Sequence, residues 1–145
     1  MKKVFNTISA LLILQVAAYA QQPQNRTTAT KIADVLGQQP AEEKAKFLYA
    51  MNELENFTSS EIAAMLNQLK PQGQNNAQVE YATNSYSFFV NQPGKEKQKD
   101  VFVQGLLDAL GTVKEDTNKA FVLRLLRQCA TNAAVSKVAT YLNTP

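Results

Sequence analysis

Apolar residues recur with one spacing three times along the chain: Ile62, Met65 and Leu69; Val103, Leu106 and Leu110; Val135, Val138 and Leu142. Residues at i, i+3 and i+7 share one face of an α-helix, so each triplet predicts a helix that docks on a neighbour through that stripe. The triplets start 41 and then 32 residues apart. This recurrence predicts stacked helical hairpins within residues 31–145, at about 41–70, 76–111 and 115–143. No apolar segment alternates as a strand would. The pattern therefore predicts an all-α fold, antiparallel hairpins stacked into an α-superhelix, which is an architecture suited to binding.

Local signals refine the element boundaries. Thr30 is placed to cap a short helix through Leu36, which Gly37 stops. Pro40 fits a first helical position, with Glu42 in the first turn and Glu42 to Lys46 spaced as an i, i+4 pair. The helix it opens runs to about Phe57 and sets Phe47, Met51 and Leu54 on one face. Thr58-Ser59-Ser60-Glu61 is a capping box directly ahead of Ile62. Lys70 to Asn76, with its proline, glycine and amide run, predicts a loop.

The segment Ala77 to Val90 is the most apolar helix, with Val79, Ala82, Tyr86 and Phe89 in one stripe and Tyr81, Ser85 and Phe88 in the next. Such a wide arc predicts neighbours on two sides. After a turn at Asn91 to Gly94, a helix from Lys95 to Leu110 is closed by Gly111, and Gly105 inside it permits close helix approach. Glu115 and Asp116 open the next helix, which runs to Cys129. A turn at Thr131-Asn132 leads to a last helix through about Asn143.

The first residues follow a different logic. Met1-Lys2-Lys3 precedes an apolar run from Val4 to Ala18, broken by Asn6, Thr7, Ser9 and Gln15 and ending Ala18-Tyr19-Ala20. A charged start, a short apolar stretch and a small-x-small ending predict a secretory signal peptide over residues 1–20, cleaved after Ala20. The alternatives are a membrane anchor or a buried first helix, but the run is too short and too polar-spotted for a stable span. An exported protein, periplasmic or extracellular, is expected. Gln21 to Thr30 then reads as a flexible polar leader.

Removing residues 1–20 takes away two lysines and no acid, lowering the formal charge from +3 to +1. Lys95, Lys97 and Lys99 are interleaved with Glu96 and Asp100. No basic face remains to favour a nucleic-acid partner.

From Phe121 to Pro145 a leucine-rich helix, a short turn containing Asn132 and the Val135, Val138, Leu142 helix follow one another. This segment resembles a HEAT or armadillo-type repeat. Members of that family often carry Asp in the turn and Arg shortly after the following Val, where this chain has Asn132 and Ser136. The resemblance implies a right-handed α-superhelix used for partner binding, and it supplies no catalytic residue.

Chemistry is sparse. The chain has no histidine and one cysteine, so the commonest general base and a thiolate zinc site are both missing. No GxGxxG, Walker A or GxSxG pattern occurs. Glu42, Glu43, Glu53, Glu55 and Glu61 sit as helix-surface or capping residues. No catalytic residue, cofactor or metal is therefore expected. Cys129 shares a stripe with Val122 and Leu125 and is expected to be buried. Asn25-Arg26-Thr27 and Asn56-Phe57-Thr58 fit the N-glycosylation pattern, which carries meaning only in a eukaryotic source.

Two surfaces stand out. Tyr81, Tyr86 and Phe88 form an aromatic platform for a small apolar or sugar ligand, with core packing as the alternative. Leu123 and Leu126 lie on a helix whose apolar residues cover about half its circumference, and they are candidates to meet a further repeat, a second copy of the protein or a partner. Complete cover by the last helix is the alternative there. The function expected is an exported module for protein–protein interaction or scaffolding. A ligand carrier ranks second and an enzyme third.

Overall fold

The computed structural model of the protein describes residues 26–129 and 131–142. Within them the chain is all-helical: α1 (Thr28–Leu36), α2 (Lys44–Glu55), α3 (Ser59–Leu66), α4 (Ala77–Phe89), α5 (Glu96–Leu110), α6 (Asp116–Cys129) and α7 (Asn132–Leu142). Residues 1–20, read as a signal peptide, and the first half of the polar leader lie outside the described residues.

The rest of that leader is structured. Thr27, not Thr30, caps α1, accepting the Thr30 N–H at 3.2 Å. Threonine fits either position as a cap, and the helix that starts after Thr27 buries Ile32, Val35 and Leu36 on one face. Arg26 then reaches Asp34 of α1 at 2.9 Å and Glu53 of α2 at 2.6 Å. The helix α2 begins at Lys44 rather than beside Pro40, with Glu43 in extended backbone conformation ahead of it. The pairing of Glu42 with Lys46 is replaced by Glu43 with Lys46, at 2.9 Å.

The capping box forms as the sequence requires. Thr58 Oγ1 accepts the Glu61 N–H and Glu61 Oε2 accepts the Thr58 N–H. Glu61 does more than cap, since it is almost fully buried and its other oxygen accepts from Lys31 of α1 at 2.8 Å. Burial alone would raise its pKa, but the bonds from Lys31 and Thr58 outweigh burial and hold it below the usual carboxylate range. The unfolded chain therefore binds this proton more readily than the folded one. The stabilisation is full above the unfolded pKa and is lost as pH falls through the folded one. Denaturant midpoints followed from about pH 5 to about pH 3 should fall more steeply for the native protein than for Glu61→Gln. Thr58→Ala should cost about 1 kcal/mol throughout.

The helices whose backbones approach are mostly two apart in sequence. In one rank α1 approaches α3, α3 approaches α5, and α5 approaches α7; in the other α2 approaches α4 and α4 approaches α6. Contacts of α1 with α2 and α4, and of α5 with α6, join the ranks. The most extensive is α3 on α5. Gly105 explains it, because a methyl built there would lie 2.6 Å from Ile62 Cβ and Cγ2 and 2.9 Å from the Ser59 carbonyl oxygen. Glycine is what lets the two backbones close to this distance.

The core runs along both ranks. Tyr86 of α4 stands edge-on to Phe102 of α5, with ring centroids 5.1 Å apart at 86°. Met51, Leu54, Ile62, Met65, Leu66, Leu106 and Leu125 are enclosed around them. Lys95 ties the start of α5 to Glu55 and lies 4.7 Å over the Phe89 ring. Cys129 is enclosed as its stripe predicts, with Sγ 3.0 Å from the Leu125 carbonyl oxygen. Burial pushes its thiol up to about 11. In native protein near neutral pH a thiol reagent should label it far more slowly than in denaturant, and equal rates would show that the thiolate is accessible.

The loop between α3 and α4 is closed by its own amides. Asn76 accepts the Lys70 N–H at 2.7 Å and donates back to the Lys70 carbonyl at 2.9 Å. Asn118 of α6 donates to the same carbonyl at 3.0 Å. Gly73 provides the positive φ of the turn.

Candidate interaction site at the C-terminal helices

Of the three stripes that define the helical pattern, the first two are largely covered, and the described part of the third is more open. Ile62 and Met65 are buried, and so are Val103, Leu106 and Leu110. Leu69 is half-buried just past the end of α3. On α7, by contrast, Val135 is 60 % exposed and Val138 only partly covered. The stripe on α3 meets α5, whereas nothing in the described residues lies against the outer face of α7.

The uncovered residues form a groove. Leu123, Leu126 and Arg127 of α6 face Ala134, Val135, Val138 and Ala139 of α7 across about 290 Å³, and the lining is almost wholly apolar. The α6 side is apolar because that helix carries more hydrophobic residues than one neighbour can cover. Phe121, Val122, Leu125 and Cys129 turn into the core, while Leu123 remains half-buried. Leu126 is 2 % exposed, so it forms the floor and Leu123 the wall. Arg127 stands exposed on the rim and forms no ion pair among the described residues.

The aromatic platform divides. Tyr81 and Phe88 project from α4 at 53 % and 61 % exposure. Tyr86 does not join them. It is 2 % exposed against Phe102, and this enclosure raises its phenol pKa. Its stripe faces α5, and Tyr81 lies on the flank that the second rank leaves open. Tyr81 instead borders a groove of about 470 Å³ between α4 and α6, with Glu80, Asn84, Phe121, Arg124 and Gln128. The Arg124 guanidinium lies 5.5 Å over the Phe121 ring.

Polar bonds fix the two walls of this second groove. Ser87 Oγ lies 2.6 Å from Gln128 Oε1, and Asn91 donates to the Gln128 carbonyl at 3.0 Å. The sequence gives no hint of Arg124 or Gln128 as site residues, because their role depends on α6 lying beside α4. Leu48 and Tyr49 of α2 are also large apolar groups at the surface.

Among the described residues there is no cluster of three potential metal ligands and no helix long and apolar enough to cross a membrane. Compared with known proteins, the chain matches no family model, no curated protein sequence and no solved structure.

Proposed function

We propose that the chain is an exported helical-repeat module that binds a protein partner through its C-terminal end. The observation that carries this is the open apolar groove between α6 and α7, lined by Leu123, Leu126, Val135 and Val138. An apolar groove left open beside exposed Val135 is the kind of surface that a protein partner covers. Packing between helices two apart, in two ranks, supports the reading as an α-superhelix, while the successive pairs of the expected hairpins, α2 with α3, α4 with α5 and α6 with α7, are not among the helices whose backbones approach most. The HEAT or armadillo likeness of residues 121–145 points the same way. The lack of histidine favours a binder over an enzyme, and the one buried carboxylate among the described residues, Glu61, is engaged in its capping box and with Lys31. The signal-like residues 1–20 send it out of the cytoplasm, to the periplasm or beyond.

The test uses the whole chain expressed in its own host with a photo-crosslinking residue at Val135, and with one at Ala33, exposed on α1, as the control. Exported protein should begin at Gln21 by intact mass, and discrete adducts should form from Val135 alone. Retention of residues 1–20 would remove the export half of the proposal. Absence of adducts at Val135, or equal adducts at both positions, would remove the interaction half.

A second reading, a carrier of a small apolar or sugar ligand, rests on the groove beside Tyr81, where an exposed ring, a guanidinium over the Phe121 ring and the Asn84 and Gln128 amides converge. The chain has five tyrosines and no tryptophan, so tyrosine fluorescence follows ligands directly. A saturable change that Tyr81→Ala abolishes would favour the carrier.

A further inference from the structure

Resting on the ligand-carrier reading of the groove between α4 and α6, we infer that this groove takes a short peptide whose two ends are free. Its walls carry opposite charges. Glu80 stands on α4 and Arg124 on α6, both exposed and both lining the same space of about 470 Å³. They do not bridge the gap between them, and neither forms an ion pair with any other described residue. An anion would meet Glu80, a cation would meet Arg124, and a neutral sugar would leave both charges without a counterpart. A ligand with an ammonium at one end and a carboxylate at the other answers both walls at once. Its carboxylate would meet a guanidinium, whose fork of N–H groups suits two oxygens.

The remaining lining selects a peptide among dipolar ligands. Gln128 is held by its side-chain oxygen, 2.6 Å from the Oγ of fully buried Ser87, and its N–H groups are left to donate. Asn84, one turn along α4 from Glu80, brings a second amide to the groove. An amide both donates and accepts, which is what a peptide bond asks of its neighbours. A free amino acid has no such bond to offer. The exposed Tyr81 ring, with the Phe121 ring under the Arg124 guanidinium, supplies apolar surface for one side chain.

The walls are set before a ligand arrives. Ser87 and Asn91 both hold Gln128, so α4 and α6 are pinned together at one end of the groove. Glu80 and Tyr81 lie about two turns back along α4 from that pin. A groove fixed in this way loses little freedom when it is filled, so that the ligand's own ordering is the main cost of binding.

The experiment titrates the full chain by calorimetry at low salt with the tripeptide alanyl-phenylalanyl-alanine. The same tripeptide is then used acetylated at its N-terminus, amidated at its C-terminus, or both. The uncapped form should bind saturably, and each cap should weaken it at least about tenfold. Glu80→Gln should remove the penalty of the acetyl cap and Arg124→Gln that of the amide cap, with the circular dichroism of both variants unchanged. Lack of saturable binding by the uncapped tripeptide, equal binding of the uncapped and doubly capped forms, or cap penalties that persist in the two variants would each overturn the inference. If a neutral disaccharide, maltose, gives a saturable change in tyrosine fluorescence that Tyr81→Ala abolishes while the tripeptide does not bind, only the peptide inference falls. If neither binds, the carrier reading beneath it falls as well.

Discussion

Phe102→Ala should lower the free energy of unfolding by about 4 kcal/mol, the range for removing a fully buried aromatic ring from a close-packed core. Phe102 is 0 % exposed and forms the edge-on contact with Tyr86 that joins α5 to α4. Truncation removes the apolar area and the ring pair together and leaves a cavity between the two ranks. Against a total stability of roughly 5–15 kcal/mol for a domain of this size, that is a large fraction. Urea denaturation followed by helical circular dichroism would measure it. A loss below about 1 kcal/mol would mean that the α4–α5 contact is not part of the stable core. Phe88→Ala, on the exposed side of α4, is the control and should change stability little.

Gly105→Val should be comparably damaging for the opposite reason. Its Cβ has no room, since Ile62 and the Ser59 carbonyl would both be closer than van der Waals contact. The carbonyl belongs to the backbone of α3, so relief requires moving a helix rather than turning a side chain. Overpacking of this kind costs about 3 kcal/mol. Gly105→Ala sharpens the test, because alanine would gain about 1 kcal/mol from helix propensity in the absence of a clash. Both variants should unfold at lower denaturant concentration than the native protein, valine before alanine. A stabilising alanine would show that α3 and α5 are not in close contact.

Helices and their burial are legible in the sequence to the extent that they follow from local chemistry. The capping box at Thr58 and Glu61, the enclosure of Cys129 and the close approach at Gly105 all follow from residue type and spacing. The start of α1 is misplaced by three residues, because Thr27 and Thr30 are both suitable caps and residue type alone does not choose between them. The segment around Pro40 is misread because proline suits a first helical position but equally a turn, and α2 starts only at Lys44.

For the candidate sites the limit is sharper. Tyr81 and Tyr86 sit on adjacent stripes of one helix, and only the positions of α5 and α6 decide which ring is enclosed. Leu123 and Leu126 are identifiable from the excess of apolar residues on α6. Arg127 and Val135 join them only when α7 is laid alongside.

The amide bridge at Lys70 bears on how this chain can be divided. By composition, residues 70–76 look like a joint at which the protein could be pared into smaller units or opened for an insertion. Yet one carbonyl there is held both by Asn76 and by Asn118, which lies in α6, and the tightest helix pair, α3 with α5, spans the same stretch. Severing the loop would part helices that depend on one another for cover. The smallest autonomous piece of this molecule is therefore larger than a single hairpin, and it spans both sides of the segment that looks most dispensable.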